Sequence, residues 1–218
     1  MEENQNKKKN SKVLSVIAIA TLLVGVIGAT YAYFVGQIGS AATANVTLTT
    51  GTNDVVTFSA GSAITIGPVT QANFGSGAGD KSGSTTATAQ LKANNQANVA
   101  TNSYCYQAYL TVSTNTFAYT VNSSTPELLL NVTKNGTAVI TNKDITTGTA
   151  TVYFPTTNNG STTKHTFAAT TKNTTTTDTF NVTVTFKNLS TDQSSTTGTN
   201  NTGKTFTGVI HIENVACS

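Results

Sequence analysis

Few side chains in this sequence can do chemistry. There are two histidines, His165 and His211, two cysteines, Cys105 and Cys217, and nine carboxylates among many serines and threonines. A hydroxyl nucleophile needs a histidine base and an acid to orient it, and no Gly-x-Ser-x-Gly elbow presents a serine. His165 lies in Lys164-His165-Thr166-Phe167 and His211 in Ile210-His211-Ile212-Glu213. Both sit in strand-like alternation, which predicts side chains on the outer face of a strand. A zinc protease needs two histidine ligands held together, most often as His-Glu-x-x-His on a helix, and that pattern is absent. Neither cysteine belongs to a Cys-x-x-Cys pair, so no zinc site is indicated. Residues 75–82 look superficially like a phosphate-binding loop but lack its spacing and its following helix, and read as a turn. No catalytic residue, cofactor or metal ligand is expected, and the chain reads as a protein that is not an enzyme.

The elements around these residues read as strands. Apolar and polar residues alternate without a break over Phe180–Lys187, which buries one face and wets the other. Phe117–Val121 shows the same alternation. Glu127–Ile140 reads as a hairpin: Leu128, Leu130 and Val132 alternate, Asn135-Gly136 supplies a type I′ turn, and Ala138 and Ile140 return. Further strands are expected at 55–60, 63–66, 87–91, 104–112, 149–154, 165–169 and 207–215. Two stretches rich in Ser, Thr, Gly and Asn, 75–86 and 190–203, read as surface loops because they cannot bury enough apolar area to order themselves. The fold expected is all-β, an antiparallel two-sheet sandwich of jelly-roll type, preceded by an N-terminal apolar signal or transmembrane helix.

Composition agrees with that class and bounds the partners. Charged residues make up 10% of the 218, against about 25% in an average soluble protein. Thr, Asn, Ser and Gly replace them, and Thr suits a pleated, half-exposed surface. Much of the +3 net charge sits in Lys7, Lys8, Lys9 and Lys12, beside Glu2 and Glu3. The remainder is near neutral and lacks the basic patch that nucleic-acid binding needs. The many Asn-x-Ser/Thr triplets are what this composition gives by chance.

The lysines precede an uncharged apolar run, Val13–Val35. A basic flank, an apolar core and then small residues is the layout of a secretory signal, which would carry the rest of the chain across the membrane. The run is also just long enough to span a bilayer, at roughly 20 residues, so cleaved leader and retained anchor both stay open. Thr30 and Ala32 occupy the −3 and −1 positions of a cut before Tyr33. A second cut site follows Ser40-Ala41-Ala42, further from the apolar run. A type IV pilin leader is disfavoured because the run contains no Glu. Residues 214–218 carry neither an apolar tail nor an LPxTG-like sorting motif, so a cleaved chain is expected to be released or held by assembly.

The lysine triplet, the Ile/Val/Leu/Ala/Gly stretch and Thr30-Tyr31-Ala32-Tyr33-Phe34 together resemble the leader of the TasA/camelysin family. Ala44-Asn45-Val46-Thr47-Leu48-Thr49 loosely echoes that family's first strand. The resemblance covers about a tenth of the chain. It implies removal of residues 1–32 by a SipW-type signal peptidase and a homopolymer outside the cell, a biofilm-matrix fibre. In such fibres the mature N-terminal segment completes the sheet of the next subunit. Here the donor segment would be 33–50, with Phe34, Val35, Ile38, Val46 and Leu48 as its apolar side chains, and the sandwich domain 51–218. The competing reading is a monomeric surface adhesin or binding domain, held at the membrane by an uncut helix.

Strand parity speaks to the cysteines. In 104–112 the more apolar set is Tyr104, Tyr106, Ala108, Leu110 and Val112, which leaves Cys105 with Gln107 and Thr111 on the wetter face. Near the C-terminus Ile210 and Ile212 read as buried, and Cys217 shares parity with His211 and Glu213. Both cysteines therefore point away from the core, as a bridge between neighbouring strands requires. Two free thiols, each a small buried hydrophobe, are the alternative.

Overall fold

A computed structural model describes residues 46–50, 54–75, 78–93, 104–122, 124–148, 150–167, 174–189, 193 and 200–217. All belong to one compact unit, Ala41–Ser218. The strands are β1 Val46–Thr50, β2 Asp54–Ser59, β3 Ile64–Ile66, β4 Lys81–Ala93, β5 Cys105–Asn115, β6 Leu128–Lys134, β7 Thr137–Asp144, β8 Thr151–Tyr153, β9 His165–Thr166, β10 Thr174–Phe186 and β11 Phe206–Val215. The only helical element among the described residues is a single 3-10 turn, Gln71–Asn73. None of their helices is long and apolar enough to cross a membrane, and the apolar run Val13–Val35 lies outside them.

The strands form two antiparallel sheets. One has six strands in the order β1-β2-β4-β10-β6-β7. The other runs β3-β11-β5-β8, with β9 pairing the β8 side of β5. Period-2 burial explains the layering. Along β10, Asp178, Phe180, Val182, Val184 and Phe186 are buried while Thr175, Thr177 and Asn181 are exposed. Along β4, Ala87, Ala89, Leu91 and Ala93 turn inward. Tyr106, Ala108, Leu110 and Val112 of β5 and Phe206, Ile210 and Ile212 of β11 meet them from the second sheet, giving one continuous core. The chain crosses between sheets after β2 at Gly61 (φ 71°), where a Cβ would stand 2.3 Å from the Thr86 carbonyl oxygen. Only glycine fits both the left-handed φ and that approach.

Most expected strands are present. Asn135 and Gly136 both have positive φ, 50° and 82°, as the type I′ turn requires. Three expectations are corrected. Residues 81–86 are not loop but the first half of a 13-residue strand. Their inner positions are Gly83 and Thr85, where a Cβ on Gly83 would lie 2.5 Å from the Thr65 carbonyl oxygen, so β3 crosses too closely for an apolar side chain to show the alternation. Residues 117–121 are not a strand. Phe117 turns inward to stack on Phe186 at 5.1 Å, and Glu127 accepts from the Thr120 amide, so a side-chain carboxylate replaces the ladder. The strand expected at 165–169 is only His165–Thr166 among the described residues.

Candidate functional site

The residues singled out from the sequence fall in different places. Thr30, Ala32, Tyr33, Phe34, Val35 and Ile38 lie outside the described residues. Val46 and Leu48 belong to β1, whose register sets them opposite Phe58 and Val56, both core residues. Among the described residues β1 is the outermost strand of its sheet and pairs only with β2, from Val46↔Phe58 to Thr50↔Asp54.

The opposite edge of the same sheet is finished by side chains. Asn159 (φ 52°) lays its backbone and amide along β7: its N–H donates to the Val139 carbonyl at 2.9 Å, its Oδ1 accepts from the Thr141 N–H at 3.3 Å, and its Nδ2 donates to the Thr141 carbonyl at 3.4 Å. One asparagine thus imitates a further strand over the edge. Asn tolerates the left-handed region better than most residues. The β6–β7 register also shifts around Asn131, whose Oδ1 accepts from the Asn142 N–H at 2.9 Å. Bulges of this kind bend an edge out of a pairing geometry.

Cys105 and Cys217 form a disulfide with Cα atoms 5.2 Å apart. Cys105 faces outward from β5, opposite Val215, the last β11 residue. It is only 3% exposed, yet it is no part of the core cluster. Thr166 of β9 covers it, Sγ to Oγ1 3.4 Å. The bridge ties β11 to β5 from outside the core, as parity required.

His165 is a correction. It is 1% exposed and packs inward against Tyr106 (5.2 Å, near-parallel) and Phe180 (5.2 Å, edge-on). Its Nε2 lies 2.9 Å from the Phe154 carbonyl, which can only accept, so Nε2 carries the proton and Nδ1 is bare. Nδ1 is buried without a hydrogen-bond partner. Burial and the neighbouring Lys134 charge lower its pKa from 6.5 to about 4, so it is a neutral core ring. Beside it, Tyr106 of one sheet donates to Asp178 of the other at 2.6 Å, Asn135 donates at 2.7 Å, and Lys134 pairs at 3.0 Å. Burial pulls the Asp178 carboxyl upward, but the Tyr106 and Asn135 hydrogen bonds and the Lys134 charge outweigh it and hold it below its ordinary value. Burial and Asp178 push the Tyr106 hydroxyl well above its own. The cluster is a charged clasp between sheets.

Glu127 forms a second clasp that the sequence hides. It is fully buried and accepts from the Thr120 amide and hydroxyl, from Gln193 Nε2 (2.7 Å) and from Asn201 Nδ2 (2.7 Å). Gln193 and Asn201 come from the stretch read as a polar surface loop. Two of its residues are fully buried, ordered by hydrogen bonds rather than apolar area.

His211 lies on the outer face of the five-stranded sheet, as expected. Tyr109 stacks on it at 5.2 Å, Tyr153 follows at 5.0 Å, and the Tyr109 hydroxyl approaches Glu213 at 3.5 Å. Parity could have found this row, because Tyr109 and His211 share the faces of the two cysteines. Tyr153 opens onto a groove of about 400 Å³ between β7, β8 and the 155–160 turn. Among the described residues no group of His, Cys, Asp or Glu side chains could hold a metal.

No protein-family model and no curated protein matches this chain.

Proposed function

We propose that this chain is an exported structural protein of the bacterial cell surface or biofilm matrix, a TasA/camelysin-like subunit that polymerises by exchanging its first strand. It does no catalysis and binds no nucleic acid. The observation that supports this reading is the contrast between the sheet's two edges among the described residues: β7 is covered by Asn159, while β1 is outermost and held by one ladder. If β1 leaves its own β2 and pairs with the β2 of another copy, the ladder bonds broken in one molecule form again in the next. The net cost is then small. The contact is heterologous and does not close on itself, so it extends into a filament.

On this reading residues 1–32 are an apolar helical leader cut before Tyr33 during export, the donor is 33–50, and 51–218 is a sandwich of jelly-roll type. The protein meets the membrane only in transit and its signal peptidase only once. Protein beginning at Tyr33 is expected to form high-mass fibres by sizing and electron microscopy, and protein lacking 33–50 a folded monomer. Equal assembly by the truncated form would overturn strand exchange. Cleavage is checked separately: secreted protein should begin at Tyr33, and Ala32→Leu should block maturation.

A further inference from the structure

We propose that the groove between β7 and β8 is a binding site for a neutral oligosaccharide, with one sugar ring stacked on Tyr153. The groove sits at the covered edge of the six-stranded sheet, away from β1, and does not depend on assembly. It is lined by Thr141, Asn142, Lys143, Tyr153, Pro155 and Asn159, with Ile140 and Val152 among its remaining walls. At about 400 Å³ it falls within the roughly 300–1,000 Å³ of small-ligand sites.

The lining specifies the ligand. Tyr153 is 43% exposed and is the one ring left exposed among the described residues. Aromatic rings are normally buried or packed; this one is held out rather than collapsed. Tyr109 backs it at 5.0 Å, and His211 backs Tyr109 at 5.2 Å with planes 17° apart. Near-parallel rings that close are offset-stacked, so the inner rings spend their faces on each other. The end of the row at Tyr153 borders the groove. A ring backed by a neighbour on one side offers a ligand stacking area at less entropic cost than an unsupported one.

The other groups are amides and hydroxyls. Asn142 lines the β7 wall as an exposed amide residue, next to Thr141 and Asn159, whose side chains already hydrogen-bond along that edge, Asn159 to the Thr141 backbone and Thr141 to Asn158. Lys143 is the only charged residue of the lining, so the groove has no counter-charge for a cation and only one for an anion. An apolar ring face beside a wall of amides and hydroxyls matches a pyranose, which has C–H faces and a hydroxyl rim. It does not match an acidic polymer or a hydrophobic peptide, which would need a cluster of bases or an apolar trough.

The test titrates secreted protein with chitohexaose, cellohexaose and mannohexaose, and with polygalacturonate and heparin as acidic probes, by calorimetry and by NMR shifts of Asn142 and Tyr153. At least one neutral hexamer should bind saturably. Tyr153→Ala should weaken it at least about tenfold, Asn142→Ala less, and Tyr153→Phe should retain it. Tyr153→Phe keeps the ring that rests on Tyr109 and should keep the wild-type thermal midpoint; the midpoint of Tyr153→Ala, measured alongside its binding at a temperature where it is fully folded, separates lost binding from lost fold. Failure of all three neutral glycans to bind, undiminished binding by Tyr153→Ala, or equal binding of the acidic polymers would overturn the proposal.

Discussion

At one edge of the six-stranded sheet, β7 is bulged against β6 and overlaid by Asn159; at the other, β1 hangs on a single ladder to β2. Unpaired strand edges recruit further strands, so folded proteins ordinarily blunt both. Here the blunted edge also has the buried clasps behind it: Glu127 precedes β6, and Lys134 and Asn135 end it, reaching Asp178. β1 has no such support among the described residues. On the strand-exchange proposal, stability and association would be divided between regions, and the core would stay folded while β1 exchanges. Each prediction below perturbs one side of that division.

The largest effect should come from Glu127→Ala. It strips two buried donors, on Gln193 and Asn201, and two half-buried ones, on Thr120, of their acceptor; leaving such groups unpaired costs about 1–3 kcal/mol each before relaxation, less where water can reach them, so a loss of about 5 kcal/mol is expected in urea unfolding. Removing β1 should cost far less. If deleting residues 33–50 destabilises the core as much as Glu127→Ala does, the division is wrong.

Reducing Cys105–Cys217 should remove about 4.8 kcal/mol in the chain-entropy model, given a sequence separation of 112. The bridge lies in the other sheet, so under native conditions reduction should leave fibre formation unchanged. Fibre loss without unfolding would place the disulfide on the exchange pathway.

Acid tests the clasp. The folded His165 pKa is about 4 against 6.5 unfolded, so between those values the unfolded chain binds the extra proton and folding loses ground as pH falls. His165 therefore contributes nothing adverse above pH 6.5, and its full penalty, about 3 kcal/mol, is reached below pH 4. Asp178 acts next: its lowered pKa gives stability present above the unfolded carboxylate value and lost as pH falls through the folded one. His165→Phe should flatten the stability profile between pH 6.5 and 4 and leave the more acidic loss in place. An unchanged profile would mean that the ring is charged or solvated in the folded state.

What the sequence disclosed follows the same physical line. Period-2 burial made β10, β6 and β11 legible, because each alternates against a continuous core. Parity alone placed Cys105, Cys217 and His211 on outer faces. It failed for His165, because a two-residue strand is too short for alternation to tell inside from outside. It failed for 81–86, because Gly83 and Thr85 fill an inner face where β3 leaves no room. Glu127, Gln193 and Asn201 were illegible for a different reason: long-range hydrogen bonds ordered them, and no local pattern encodes a partner 66 or 74 residues away. Asn159 could have been suspected from Asn159-Gly160, a turn signal, but not the edge it covers.

The smallest energetic effect should be the most informative about the two edges. Asn159→Gly keeps a residue that accepts φ near 52° at no steric cost, and deletes only the two side-chain hydrogen bonds to Thr141. At an exposed edge these are worth about 1 kcal/mol together at most, so the thermal midpoint should fall only slightly. The consequence for association should be larger, because the N–H and C=O of Thr141 are then presented to any strand that approaches. Protein lacking residues 33–50 is the right background, since the proposed exchange strand is gone. There, Asn159→Gly should turn a monomer into concentration-dependent dimers that pair β7 with β7, detectable by sizing and by cross-linking through cysteines placed at Thr141. A strict monomer would show that the β6–β7 bulge alone suffices to close this edge, and would move the asymmetry between β7 and β1 from Asn159 to the strand register.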